Sequence, residues 1–412
     1  MAVLREPRVR VRLPGRIRLL IAARGVNQLG AFSLAFLTVL LSRGLGASLP
    51  VAGAISGLFG MATIPSRLLG GRLADRWGRR RTILAGLVGC ALAQLGIAAA
   101  PDLVVAATCS VLLGLAFELY EPPSQAMIAD GVAPEDRAGA YASLSTALAV
   151  GNMGAGLVAD VVGRSNLRWL FVVDAASCLA CALAVRLLLP ADEPGARQRD
   201  SAQARGRSPW RDGSLLAMTG AGTVLALIYM LMLVSLPLSL AAEGLDPASA
   251  GLIVTASTAS LLLARPALRF GRVAALSPGS AFAAGYSLTA LGLAGYAVAH
   301  TLPALLGPTA CYAVGNLLLM GRAFAVVSAL APAGASARYL AVYGLSWGFA
   351  TVLAPPLGTW MIGGFGPGAL WAAMAALCLA MAAAQPLLLR RLGAAATAAT
   401  TATAASAELS AC

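Results

Sequence analysis

Apolar residues in this chain fall into long runs, separated by short clusters of Gly, Pro and Arg. Runs of about 20 apolar residues match the thickness of a bilayer core at 1.5 Å per helical residue. Twelve such runs stand near 17–42, 50–69, 82–100, 103–129, 138–162, 169–189, 214–240, 248–264, 274–299, 303–331, 338–363 and 367–389. A stretch such as 35-AFLTVLL-41 has strand length, but lipid admits only helices or closed barrels. These runs are too long and too evenly apolar for barrel strands. The pattern predicts an all-α membrane protein of twelve transmembrane helices in two pseudo-symmetric six-helix bundles.

One interior stretch breaks the pattern. Residues 190-PADEPGARQRDSAQARGRSPWRDG-213 are rich in Arg, Pro, Gly and Ser and read as a flexible cytoplasmic linker. The expected organisation is an N-terminal bundle over 1–189, the linker over 190–213, a C-terminal bundle over 214–391, and a disordered Ala/Thr-rich tail over 392–412.

Composition agrees with the pattern. The chain is 59% hydrophobic and 11% charged, against about 25% charged in a soluble domain. Its net charge of +13 invites a nucleic-acid reading, so the placement of the cations decides. All 30 basic residues are Arg, and with the N-terminus in the cytosol 25 of them fall on inner segments, Arg67 to Arg81 among them in the first inner loop. Only Arg43, Arg164 and Arg168 lie outside, while Arg24 and Arg322 lie within spans. That asymmetry follows the positive-inside rule, so the charge reports orientation and contact with anionic lipid rather than nucleic acid. Both termini are expected in the cytoplasm of a multi-pass cell-membrane protein, with all-Arg, Ala-rich usage suggesting a bacterial inner membrane.

Enzyme chemistry finds no support. No nucleophile elbow, phosphate-binding loop or metal-ligand spacing is present, and a single His, His300, excludes a multi-His metal site. Cys178 and Cys181 have the spacing of a redox or zinc pair but lie in an apolar helix, where thiols pack as small apolar groups. No metal and no cofactor is expected.

The halves align weakly with each other. Against 72-RLADRWGRR-80 stands 265-RPALRFGRV-273, with Leu268 opposite Asp75, and a second alignment sets Glu121 opposite Arg322. The first of these segments lies in 70-GGRLADRWGRRRTIL-84, a charged knot between two apolar runs. Gly71 and Gly78 permit the sharp turn that a short loop between helices needs, and Asp75 is placed to accept hydrogen bonds from a helix N-terminus or an Arg.

Gly71, Asp75, Gly78, Arg79 and Arg80 fill the places of the signature between helices 2 and 3 of the major facilitator superfamily, and the chain resembles that family over nearly its whole length. The resemblance implies secondary transport of a small molecule by a protein expected to be monomeric. It also implies a cytoplasmic latch between the halves, formed here by Asp75, Arg76, Arg79, Arg80 and Asp130. More narrowly, 117-FELYEPPSQAMIAD-130 looks like the drug:proton antiporter branch, while 151-GNMGAGLVAD-160 departs from that branch's fifth-helix pattern by carrying Ala155 where Pro would fall.

Ionisable groups inside a bilayer cost about 2.5 to 3.5 kcal/mol each on insertion scales, so the few present are functional candidates. Glu118 and Glu121 are three residues apart on the fourth span and are expected to share a face, roughly 18 Å and 13 Å deep on a continuous helix. In the family, helices 1, 4, 7 and 10 surround the central cavity, which implies that Arg24, Glu118, Glu121 and Arg322 meet there. Glu121 is then expected to pair with Arg24 or Arg322, and Glu118 to exchange protons, with the proton gradient as energy source. Candidate cavity residues are Asn27, Gln28, Gln125, Asn152, Met153, Tyr229, Met230, Met232, Asn316, Tyr343 and Trp347. Asp160 and Asp174 read as an outer gate or as solvated helix ends. The resulting expectation is proton-coupled export of lipophilic or cationic compounds. The alternatives are import or facilitated passage of a small metabolite on the same fold, and a transport-dead sensor.

Overall fold

The computed structural model describes residues 13–30, 33–132, 137–189, 209–268, 276–331 and 336–409. Thirteen helices carry the fold. In the first half they are α1 (Gly15–Gln28), α2 (Leu49–Trp77), α3 (Arg79–Ala99), α4 (Leu103–Phe117), α5 (Glu121–Asp130), α6 (Arg137–Gly163) and α7 (Arg168–Leu188). In the second they are α8 (Gly213–Ala242), α9 (Ala250–Leu268), α10 (Pro278–Val298), α11 (Leu302–Leu330), α12 (Ser336–Phe365) and α13 (Pro367–Leu409). The described residues hold no strand.

Ten described helices are long and apolar enough to cross a membrane. The expected first and eleventh spans are the two outside that count. The eleventh is helical throughout as α12. The first is interrupted. α1 closes at Gln28 with Leu29 N–H on Val26 O (3.0 Å) and Gly30 N–H on Asn27 O (3.2 Å). Beyond it come a 3-10 turn (Ser33–Phe36), a short α segment (Leu37–Val39) and a π turn (Leu40–Gly44).

The fourth span is also two helices rather than one. Pro122 and Pro123 lack the N–H groups that would bond the carbonyls of Glu118 and Leu119, so α4 ends at Phe117 and α5 starts afresh at Glu121. Small residues let neighbours reach this break. A Cβ built on Gly70 of α2 would stand 2.8 Å from Leu119 O, and one on Gly86 of α3 would stand 3.1 Å from Tyr120 N. The break is therefore seated between α2 and α3, its position fixed by two glycines.

The chain forms two compact units. One is Met1–Gly46 with Leu58–Gln198, and the other is Ala47–Gly57 with Arg199–Cys412. In the first, α3 packs along α7 and α4, while α1 lies on α6 and α7. In the second, α8 packs on α12 and α10 on α11 and α13. The start of α2 joins this second unit because Gly53 and Gly57 bring its backbone close to Pro355, Thr359 and Val352 of α12. Asp212 ends the linker as the N-cap of α8, accepting from Ser214 N (2.9 Å) and Leu215 N (3.3 Å), and Tyr339 O–H donates to its other oxygen (2.7 Å). α13 continues to Leu409, so the Ala/Thr-rich segment expected to be disordered from 392 is helical up to that point, in keeping with the high helix propensity of Ala.

Candidate functional site

The break in the fourth span decides where the two glutamates point. Glu121 is the first residue of α5 and forms an ion pair with Arg24 of α1, which donates from Nη2 to Glu121 Oε2. Arg24 is 7% exposed, its guanidinium lies 4.7 Å from the centre of the Tyr120 ring, and its Nη1 is buried without a hydrogen-bond partner. Its charge is thus balanced by one carboxylate and one aromatic face. Gln125, one turn along α5, donates from Nε2 to Glu121 Oε1 (2.9 Å) and fixes the carboxylate from the other side.

Glu118 follows α4 as its C-cap, three residues before Glu121 opens α5. Its N–H donates to Ser66 Oγ (3.1 Å), and its carboxylate lies 3.9 Å from Arg67 Nε, beyond hydrogen-bond reach. Glu118 Oε2 is buried without a hydrogen-bond partner. Arg67, expected in the first inner loop, lies inside α2, ten residues before its end, because that helix continues unbroken to Trp77. The two acids therefore face different cations, one tightly held and one loosely.

Apart from the Arg24–Glu121 pair, α1 and α6 flank an open groove of about 690 Å³ lined by Gly25, Val26, Leu29, Thr146, Val150 and Gly151, among others, with Arg24 on the other, buried face of α1. The lining is almost wholly apolar, and its size is that of a small-molecule site. The glycines leave the room: a Cβ on Gly25 would press on Ala147, and one on Gly151 would stand 2.4 Å from Gly25 O.

Other expected cavity residues fall into two groups. Gln28 lies against Gly151, and Asn152 and Met153 are half-buried on α6. Asn27 is buried and donates to Cys178 Sγ (3.2 Å), so it faces the interior of its own bundle. In the second unit, Tyr229 meets Trp347 edge to face at 5.3 Å, and Met230 is half-buried. Met232 is buried, Asn316 donates to Tyr312 O–H (3.4 Å), and Tyr343 packs on Phe324 at 5.4 Å and against Gly222. Arg322 is half-buried on α11; the partner the structure gives Glu121 is Arg24.

The charged knot is tighter than a loop. Gly78 alone joins α2 to α3, with φ at +95°, a region that disfavours any side chain, and its carbonyl accepts from Thr82 N–H (3.2 Å) and Thr82 Oγ1 (2.8 Å). Gly71 lies within α2, one turn and a half before its end. Arg80 donates to the backbone carbonyl of Arg186 near the C-terminal end of α7. Asp75 and Arg76 are exposed, and Arg79 is half-buried at the start of α3. Asp130 closes α5, with its side chain outside the described residues.

Two outer-end acids are not solvated helix ends. Asp160 pairs with Arg164 one turn on (2.6 Å), and Asp174 is 4% exposed. Sequence reasoning passed over Tyr120 and Arg67; the signal for each was adjacency to a break or a glycine pair, which gains meaning only once the helices are packed. Among the described residues no group of three or more His, Cys, Asp or Glu is placed to hold a metal ion.

Comparison with known proteins agrees with this architecture. The model of the Major Facilitator Superfamily matches residues 20–235, more than half of the chain, and the chain belongs to that superfamily. It is 27% identical over 365 residues to an uncharacterized MFS-type transporter, YhjO, of Bacillus subtilis, covering 85% of this chain and 86% of that one. It is also 27% identical over 298 residues to the multidrug resistance protein MdtH of Aeromonas hydrophila, covering 72% and 74%. Among solved structures, the peptide transporter POT in complex with sulfate superposes with a TM-score of 0.73 at 16% identity, covering 92% of this chain and 95% of that one. The POT family transporter PepTSo does so with 0.73 at 13%, covering 92% and 98%. These structural likenesses show the fold alone. The protein is a multi-pass membrane transporter and not an enzyme.

Proposed function

We propose that the chain exports small lipophilic or cationic compounds in exchange for protons, by alternating access. The observation that carries this reading is two acids at a helix break, one neutralised by Arg24 and one held loosely near Arg67, in a unit that also bears an open, mostly apolar groove of about 690 Å³ between α1 and α6. The apolar wall suits a lipophilic body, and Glu118 supplies the negative site for which a proton and a cationic substrate compete. A proton on Glu118 favours one facing state and the cation favours the other, so flux of one is tied to flux of the other. Relatives named for multidrug resistance, at 27% identity, and for puromycin resistance in Streptomyces alboniger, at 32% over 167 residues, support export. Import or facilitated passage of a metabolite is the rival reading. The peptide transporters that share the fold are too distant to assign a substrate.

In this reading the protein acts as a monomer in a bacterial inner membrane with both termini cytoplasmic. Gly71, Asp75, Arg76, Gly78, Arg79, Arg80 and Asp130 form its cytoplasmic latch, and Asn152 and Met153 of α6 contribute to substrate contact. The test is ethidium uptake into inverted vesicles, driven by an imposed proton gradient, with the wild type and Glu118→Gln. Loss of gradient-driven uptake in the variant, with its level in the membrane unchanged, is the expected result. Unaltered coupling removes Glu118 from the mechanism, and uptake insensitive to an uncoupler in the wild type removes proton exchange altogether.

A further inference from the structure

Helix α2 turns one line of side chains away from the protein. Leu58, Met61, Pro65, Leu69, Arg72 and Arg76 are all exposed, and at about 100° per residue they fall within about 80° of one another around the axis. Between them Phe59, Ala62, Ser66 and Gly70 are buried, and Arg67, on the opposite side, is turned toward Glu118.

The line changes character along its length. From Leu58 to Leu69 its exposed side chains are apolar over a rise of about 17 Å, close to half of a hydrocarbon core of about 30 Å. The next two positions on the line are Arg72 and Arg76, one turn apart and so near enough to hold a single anion between them. Among the described residues neither arginine forms an ion pair or a hydrogen bond. Asp75 is exposed about 60° to the side of Arg72, so the pair and this acid together carry one net positive charge. Arg79, Arg80 and Arg81 follow across Gly78 at the start of α3 and raise the positive potential of this end.

We propose that this face of α2 binds one anionic phospholipid, its acyl chains along Leu58, Met61, Pro65 and Leu69 and its phosphate between Arg72 and Arg76. The apolar line is one leaflet long, and the cations stand where a headgroup begins. Guanidinium groups donate charge-assisted hydrogen bonds to phosphate oxygens, and a singly charged phosphodiester matches the net charge of the site. A zwitterionic headgroup brings its own cation to the phosphate and into the field of five arginines between residues 72 and 81, so it gains less. Lipid binding is measured without transport and stands apart from the exchange mechanism.

The experiment is native mass spectrometry of the purified, delipidated full-length protein, titrated with phosphatidylglycerol, with phosphatidylcholine of the same acyl chains, or with phosphatidylglycerol in the presence of inorganic phosphate. One phosphatidylglycerol is expected to bind more tightly than phosphatidylcholine, to resist displacement by inorganic phosphate, and to weaken about 30-fold when Arg72→Gln and Arg76→Gln are combined, at about fivefold per arginine. A change of less than about threefold in that double variant overturns the proposal. So do equal affinity for the two lipids, displacement by inorganic phosphate, and a dimer that excludes the lipid, which assigns the face to a second copy. Should the double variant not be monodisperse, Arg72→Gln alone decides, with about fivefold expected and no change overturning the proposal. Position is read in Leu69→Trp, whose added fluorescence is expected to be quenched more by phosphatidylglycerol brominated on its acyl chains than by brominated phosphatidylcholine; equal quenching overturns the placement along α2.

Discussion

Replacing Glu121 by Gln keeps the shape and the hydrogen-bonding reach of the side chain and removes only its charge. Arg24 is then a buried cation, 7% exposed, with one nitrogen already lacking a hydrogen-bond partner and the Tyr120 ring as its remaining electrostatic support. Breaking a buried pair by removing one partner costs about 3 to 5 kcal/mol. The Glu121 side chain is 25% exposed, so water softens the loss and the low end, about 3 kcal/mol, applies. At about 2–4 °C per kcal/mol for a bundle of this size, the melting midpoint falls by about 6–12 °C. The assay is tryptophan-fluorescence melting of the purified protein in one detergent, extended to Arg24→Met and to the double variant Arg24→Met with Glu121→Leu. The double variant is expected near the wild type in stability, since an apolar pair of similar volume replaces a buried ion pair at little cost. A fall below about 2 °C in Glu121→Gln, or a double variant as unstable as the sum of the two singles, refutes the view that these groups neutralise one another in a desolvated site.

Further outcomes follow from the break and from the outer rim. Changing both Pro122 and Pro123 to Ala restores the backbone bonds missing at Glu118 and Leu119; circular dichroism is expected to show helicity kept or gained and stability held within about 1 kcal/mol, while ethidium transport is lost. Gly70→Ala drives a methyl to 2.8 Å from Leu119 O and is expected to cost about 1–3 kcal/mol of stability and to slow transport, whereas Gly220→Ala in α8, with open space around it, serves as the silent control in both assays. At the outer rim His300 lies 3.7 Å from Glu243, whose carboxyl is pushed up by burial and pulled back by the imidazole. Its folded value lies above its unfolded one, so the contribution is full below the ordinary carboxylate range and is lost as pH rises through the raised value. Melting as a function of pH is expected to show a decline through that window that Glu243→Gln flattens and His300→Ala steepens.

Some of this was open to reading from the chain alone. Apolar run length marked where helices cross, because that quantity adds residue by residue along the chain. The family motif is equally local, since the turn at Gly78 needs only its own backbone freedom and the residues beside it. Even the break at Glu118–Tyr120 was written in the sequence as Pro122-Pro123; reading through it as one helix gave both acids a depth along a helix that is interrupted there.

Tertiary structure decided the partners, choosing Arg24 over Arg322 for Glu121 where sequence had left both open. Arg24 finds Glu121 across 97 residues, Asn27 finds Cys178 across 151, and Glu118 lies near an arginine that sequence had assigned to a loop. Which side of a helix meets which neighbour depends on the rotation of each helix about its axis, and that rotation is set by where Gly70, Gly86, Gly30 and Gly151 let backbones approach. Hydropathy in α3, α4, α8 and α10 is nearly uniform around the helix, so there it carries no mark of that rotation; the fit of small residues against large ones does.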